Sequence, residues 1–110
     1  MNYTEVKIGK IADVWVGMCG YQEAEFGVGF TLSGSGWGTG DNWSYWATRP
    51  SGAKWSIEDQ TTALGKVMLR LRDLMKDAKV ESVERLKNKP IEVTFENNRL
   101  KTWRILTEVL

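Results

Sequence analysis

The sequence contains no histidine and only one cysteine, Cys19. Without histidine, neither a Ser-His-Asp triad nor a Cys-His pair can form, and zinc sites with histidine ligands are excluded. A single cysteine cannot supply an all-thiolate metal site either. Catalysis by two carboxylates, as in glycosidases, stays open. We therefore predict a non-enzymatic protein that uses no metal and no cofactor.

The chain also lacks the marks of secreted and membrane proteins. A lone cysteine cannot form an internal disulfide, which is typical of proteins from a reducing compartment. No apolar run approaches the ~20 residues that a membrane-spanning helix needs. The first ten residues, MNYTEVKIGK, contain no apolar signal-peptide segment. The sequence thus predicts a cytoplasmic protein without membrane contact.

Size and charge give few further clues to a partner. The chain has 110 residues, of which 42% are hydrophobic and 26% charged, and these values predict a single globular domain over residues 1–110. A net charge of +1 is no overall signal for nucleic acid. Residues 61–89 hold eight basic and four acidic side chains, but the two signs are interleaved, which favours an ordinary solvated face. A nucleic-acid partner is therefore open but disfavoured.

The first half of the chain has the residue types of β-strands. Residues 5–15 are rich in β-formers, with Gly9 and Lys10 predicted as a bend or turn. Two glycines within 17–20 predict a break or bulge. In residues 24–32 an apolar side chain recurs at every second position, which is typical of a half-buried strand. The aromatic residues of 42–47 predict another strand.

One long amphipathic helix is predicted over about residues 57–79. Ser56 is a good N-cap residue, and Asp59 stands at the capping-box position, where a negative charge complements the helix dipole. Apolar residues then recur at steps of three and four. They are Leu64, Val67, Met68, Leu71, Met75 and Ala78.

A C-terminal β-hairpin is predicted next. Residues 91–96 alternate between apolar and polar side chains, Asn97-Asn98 suits a tight turn, and an apolar return strand follows. The order of strands, helix and hairpin predicts an α+β fold. In it, an antiparallel sheet of about five strands carries the helix on one face.

The C-terminal third, KDAKVESVERLKNKPIEVTFENNRLKTWRILTEVL, resembles a family of small uncharacterised proteins encoded by tailed bacteriophages and prophages. The segments CGYQEAEFGVGFTLSGSGWGTG and KWSIEDQ resemble the same family. The resemblance covers most of the chain and brings no catalytic residues with it. It implies a phage accessory protein in the cytosol of a bacterial host.

The segment from Gly34 to Arg49 is the predicted site of function. Its alternating glycines expose backbone N–H groups, and its tryptophans and tyrosine are the residue types that anchor protein interfaces. We predict a mobile loop that presents these aromatic side chains to a partner. The predicted binding residues are Gly36, Trp37, Gly38, Asp41, Trp43, Tyr45, Trp46 and Arg49. The alternative is a glycine-rich hairpin turn between two strands.

Other residues have plainer interpretations. Trp15 and Trp103 are predicted to be core side chains, because large apolar groups are most often buried. Cys19 is predicted to be a small buried thiol, since no histidine is present to activate it.

Several partners fit an aromatic, glycine-rich face. The first hypothesis is a host bacterial protein, which the phage protein would bind and inhibit. The second is a small nucleotide-type ligand that stacks on tryptophan, and the third is single-stranded nucleic acid. A virion or assembly role and a homodimer formed through the same face also stay open.

Overall fold

A computed structural model describes residues 3–19, 25–46 and 56–110, except for the side chains of Tyr45 and Trp46. Five strands form one antiparallel sheet in the order β3-β2-β1-β4-β5. They are β1 (Thr4–Cys19), β2 (Glu25–Gly34), β3 (Trp37–Trp46), β4 (Pro90–Glu96) and β5 (Arg99–Ile105). A helix, α1 (Ile57–Ala78), and two short 3-10 helices, Val83–Leu86 and Thr107–Val109, complete the described chain. The predicted α+β class is confirmed.

The long strand β1 holds the sheet together. Its first half pairs with β4, from Thr4 opposite Glu96 to Lys10 opposite Pro90, and its second half pairs with β2. The predicted bend or turn at Gly9-Lys10 is wrong, because both residues lie within the continuous strand. The irregularity comes later, as a β-bulge between Ile11 and Asp13. A bulge adds one residue and increases the local twist, so it lets one strand serve two differently oriented halves of the sheet.

Helix α1 begins and ends with well-formed caps. The Ser56 hydroxyl accepts a hydrogen bond from the Asp59 backbone N–H at 3.0 Å. At the other end Lys79 adopts the left-handed conformation, with a φ of 59°, and the N–H groups of Lys79 and Val80 donate to the carbonyls of Lys76 and Met75. These bonds satisfy carbonyls that a helix end leaves without partners. The predicted bounds of 57–79 therefore hold to one residue.

The two described hairpin turns are tight. Ser35 and Gly36 connect β2 to β3, and Gly36 has a φ of 77°. Asn97 and Asn98 connect β4 to β5 with φ values of 52° and 65°, which confirms the predicted hairpin. Asparagine tolerates this left-handed region better than most residues. The predicted mobile loop from residue 34 onward is wrong up to residue 46, because the chain there forms the turn and strand β3.

The core lies on one face of the sheet, here called the inner face, against α1 and the first 3-10 helix. Directly paired residues of neighbouring strands share a face, so Val14, Phe30 and Asp41 all lie on the inner side. The buried apolar cluster includes Ile11, Val28, Phe30, Leu32, Trp43, Leu71, Leu74, Ala78, Leu86, Ile91, Val93 and Ile105. Cys19 is buried with 8% exposure, as predicted.

Candidate functional site

The predicted binding residues are divided between the two faces of the sheet. Trp37, Asp41 and Trp43 lie on the inner face, whereas Gly38 is exposed on the opposite, outer face. Gly36 is in the β2–β3 turn. Tyr45 and Trp46 end β3, but their side chains are outside the described part of the structure, and so is Arg49 altogether. The inner and outer residues cannot contact one ligand from the same side.

Asp41 joins the two edge strands of the sheet. Its Oδ2 accepts hydrogen bonds from the indole N–H of Trp43, at 2.9 Å, and of Trp103, at 2.7 Å. The two indoles stack with ring centroids 5.9 Å apart. The Phe30 ring of β2 packs against them, with its centroid 4.6 Å from that of Trp43. Trp43 belongs to β3 and Trp103 to β5, so this cluster draws the first and last strands of the sheet order together and curls the sheet.

These contacts make Trp43 a core residue. Its side chain is 6% exposed, and the Arg70 guanidinium covers its ring at 4.0 Å from the centroid. Burial of an indole with its N–H satisfied is a packing role. Trp43 is thus unavailable as the exposed anchor that the sequence predicts at this position.

The Trp37 indole packs on the backbone of two glycines, Gly9 and Gly34. A Cβ atom added at Gly9 or at Gly34 would overlap the Trp37 indole, so the ring lies directly on the backbone of β1 and β2. Its edge meets Phe95 at a centroid distance of 5.5 Å. Trp37 is only half-buried and lines a shallow cavity of about 160 Å³ that is open to solvent. It extends the core rather than forming a separate aromatic surface with Trp43.

The outer face carries a tryptophan that the sequence assigns to the core. Trp15 is directly opposite Gly29 of β2, and a Cβ at position 29 would overlap its Cζ2 and Cε2 atoms. The indole therefore lies on the bare backbone of Gly29, on the side of the sheet away from α1. It is only partly buried and is not a member of the core cluster. The prediction of a core Trp15 is wrong, because the β-bulge reverses the inner and outer positions along β1.

Small residues surround Trp15 on the outer face. The strand rows place Gly17 and Gly27 beside Ser44 on one side, and Asp13 and Thr31 beside Gly40 on the other. Asn42 is in the same row as Trp15 and is exposed. No described residue accepts a hydrogen bond from the Trp15 indole N–H. Trp15 therefore lies in a bed of glycine and polar side chains that includes the exposed carboxylate of Asp13, and its indole N–H stays available to a ligand.

The outer face of β4 and β5 has a different chemistry. Arg104 binds Glu108 with two parallel hydrogen bonds of 2.9 and 2.8 Å, and it contacts Glu92 of the neighbouring strand at 3.2 Å. These bonds stabilise the charged forms, so they raise the pKa of Arg104 and lower that of Glu108 to about 2. This half of the face is an ordinary ion-paired surface. The bed around Trp15 is the stronger candidate for a binding site.

No known family model matches the sequence, and neither a curated protein nor a solved structure is detectably similar to the chain. The phage resemblance accordingly stays a prediction. Within the ranges that the structure describes, no helix is long and apolar enough to cross a membrane.

Proposed function

We propose that this protein is a non-enzymatic binding protein for single-stranded nucleic acid, and that a base stacks on Trp15. The observation that carries the proposal is the position of this indole, which rests on the backbone of Gly29, is only partly buried and lies outside the core cluster. Stacking of a base on an aromatic side chain contributes about 1–3 kcal/mol, and it tolerates any sequence because every base has a π-face.

The order of elements supports the same function. Three antiparallel strands are followed by a helix and then by a hairpin whose first strand returns to pair with β1. This is the arrangement of the oligonucleotide- and oligosaccharide-binding (OB) fold, a five-stranded curled sheet. In that fold the face of the second and third strands binds the polymer. The corresponding surface here is the outer face of β2 and β3, beside Trp15.

The polar groups of the bed suit the edges of bases. The Asn42 amide can donate and accept hydrogen bonds, and the Thr31 hydroxyl can do the same. Both side chains are exposed in rows that contain or adjoin Trp15. Charged groups are few on this half of the outer face: Lys10 and Asp13 are exposed on β1, and Glu25 of β2 accepts a hydrogen bond from the Ser44 hydroxyl. Binding should therefore depend more on stacking than on phosphate contacts.

The test is the affinity of the purified protein for a fluorescein-labelled 15-mer of dT, measured by fluorescence anisotropy. We expect Trp15→Ala to weaken binding by about 5- to 150-fold, the equivalent of one lost stack. Trp15→Phe should retain part of the affinity because phenylalanine also stacks. With only one or two phosphates neutralised, the plot of log K against log salt should have a shallow slope of about −1.

Two results would contradict this function. One is an equal affinity of wild type and Trp15→Ala for the oligonucleotide, with both proteins melting cooperatively. The other is displacement of the oligonucleotide by an uncharged glucan oligomer at similar concentration. That result would reassign the same stacking surface to a carbohydrate.

A partner protein is a second candidate, and a separate observation favours it. Val6 and Ile8 are 56% and 58% exposed, although they belong to the central strand of the sheet. Both lie on the outer face, where a solvated antiparallel sheet normally carries polar residues. We propose that this strip contacts a host bacterial protein or a second copy of the chain. Ile8→Thr should then abolish capture from a nuclease-treated bacterial lysate or halve the mass in solution, while oligonucleotide affinity is unchanged.

A further inference from the structure

A basic cavity lies between the end of α1, the first 3-10 helix and the start of β4. It has a volume of about 430 Å³, and four cationic side chains line it. They are Lys79, Arg85, Lys87 and Lys89. One acidic residue, Glu81, lines the same cavity. The charge of the lining is therefore strongly positive although the whole chain is close to neutral.

None of the four cations forms an ion pair with a carboxylate of the described residues. The ion pairs of the described chain involve Lys7, Arg72, Lys101 and Arg104, which lie elsewhere. In an ordinary solvated face, interleaved acids and bases would pair locally. Here the acidic neighbours Asp77, Glu81 and Glu84 form no such pair with the cavity lysines and arginine. Four unpaired cations around one concavity create a positive local potential that attracts an anion.

The backbone of the turn that carries Lys87 and Lys89 is well connected. Lys89 and Asn88 extend the ladder beside β1, with hydrogen bonds of 3.0 and 2.7 Å to the backbone of Ile11. The Lys89 N–H also donates to the Leu86 carbonyl at 3.1 Å. Asn88 turns the chain with a φ of 72°. The lysines therefore project from a turn whose backbone is already ordered, so ligand binding has to order only their side chains.

Lys79 is an unfavourable choice for its backbone position. It has a φ of 59° at the end of α1, where glycine is the preferred residue because it has no Cβ. The carbonyls of this helix end are already bonded to the N–H groups of Lys79 and Val80. The lysine side chain is therefore not required for the cap, and its charge is available to the cavity.

We propose that this cavity binds the phosphate groups of a phosphorylated ligand. Lysine ammonium and arginine guanidinium groups are the common partners of phosphate oxygens, and arginine can bind two of them at once. The cavity is large enough for a di- or triphosphate. The proposal does not depend on Trp15, which is on the other face of the sheet.

The experiment measures the affinity of the full chain for inorganic tripolyphosphate by isothermal titration calorimetry at low ionic strength. Lys79→Gly should weaken binding by about five- to tenfold, because one charge-assisted contact is lost. The same variant should melt about 4 °C higher, because glycine relieves the left-handed backbone. A lower affinity in a more stable protein cannot be an effect of unfolding. Arg85→Gln combined with Lys87→Gln should weaken binding further.

Lys66→Gln is the matched control, since Lys66 is an exposed and unpaired cation of α1 outside the cavity. It should change the affinity less than twofold. The proposal is overturned if Lys79→Gly and the double variant bind tripolyphosphate like the wild type, or if Lys66→Gln loses as much affinity as they do.

A second measurement, with the 15-mer of dT, distinguishes a nucleic-acid backbone from a small phosphorylated ligand. If the cavity variants also lose affinity for the 15-mer of dT, the ligand is the backbone of a nucleic acid. If only tripolyphosphate binding falls, the ligand is a small phosphorylated molecule. Trp15→Ala should leave tripolyphosphate binding unchanged in either case, so the two proposals fail independently.

Discussion

Trp43 and Trp15 lie on opposite faces of one sheet, and their surroundings differ in every respect that matters for function. Trp43 is buried, stacks on Trp103 and donates its indole N–H to Asp41. Trp15 is partly exposed, rests on a glycine and has no acceptor for its N–H among the described residues. A buried indole with a satisfied donor stabilises the fold, whereas an open one with a free donor is available to a ligand.

The largest effect should come from removing the inner tryptophan. Trp43→Ala leaves a cavity beside Phe30 and removes the stack on Trp103, so we expect a loss of about 3–5 kcal/mol in the free energy of unfolding. Urea denaturation followed by circular dichroism measures this loss. Trp15→Ala is the matched comparison on the outer face and should cost about 1 kcal/mol, because its ring contacts fewer atoms.

The comparison fails if the two alanine variants are equally destabilised. Equal losses would mean that Trp15 is a structural residue. An unchanged stability of Trp43→Ala would contradict the core assignment and restore this position as a binding anchor, as the sequence predicts. Trp103→Phe adds a control, because it removes one donor to Asp41 while retaining an aromatic ring beside Phe30.

Helix α1 and the C-terminal hairpin can be predicted from the sequence, because each is specified by residues within it or next to it. The helix is visible in its Ser56 cap and in apolar residues at steps of three and four, and the structure agrees to within one residue. The C-terminal hairpin follows from strict alternation and the Asn97-Asn98 turn. In each case the residues that specify the element are its own neighbours in the sequence.

The site depends on long-range contacts that the sequence does not show. The bulge after Ile11 reverses the faces of β1, so a period-two pattern cannot assign Trp15 to a face. Asp41 contacts Trp103 across 62 positions. Its bond to Trp43 is local, at a separation of two residues, but the sequence alone does not show that the strand buries this side against α1. The cluster of tryptophans in the sequence therefore suggests a binding face at a place where the fold forms its core.

A medium effect should come from the glycine beneath Trp15. Gly29→Ala adds a methyl group where the indole now lies, so the ring must move away. We expect a loss of about 1–3 kcal/mol in the free energy of unfolding, together with weaker oligonucleotide binding. Thermal melting and the anisotropy assay measure the two quantities.

Gly40→Ala is the control on the next strand. A Cβ there would be 3.6 Å from the Phe30 carbonyl oxygen, which is an ordinary contact, so stability should change by less than about 0.5 kcal/mol. If Gly29→Ala were equally neutral, the indole would be free to swing away. It would then not be a preorganised stacking surface.

The smallest effect concerns the charged half of the outer face. Arg104 holds the pKa of Glu108 at about 2, below its ordinary value of 4.5. A depressed pKa in the folded state means that the pair stabilises the protein above pH 4.5, and that this contribution is lost as the pH falls from 4.5 towards 2. The difference in urea midpoint between pH 5 and pH 3 should therefore be smaller in Glu108→Gln than in the wild type.

Glu84→Gln is the control. It removes an exposed glutamate without an ion pair and should keep the wild-type difference in urea midpoint. If Glu108→Gln also keeps it, Arg104 and Glu108 are not paired in solution, and this half of the face is as open to a partner as the bed around Trp15.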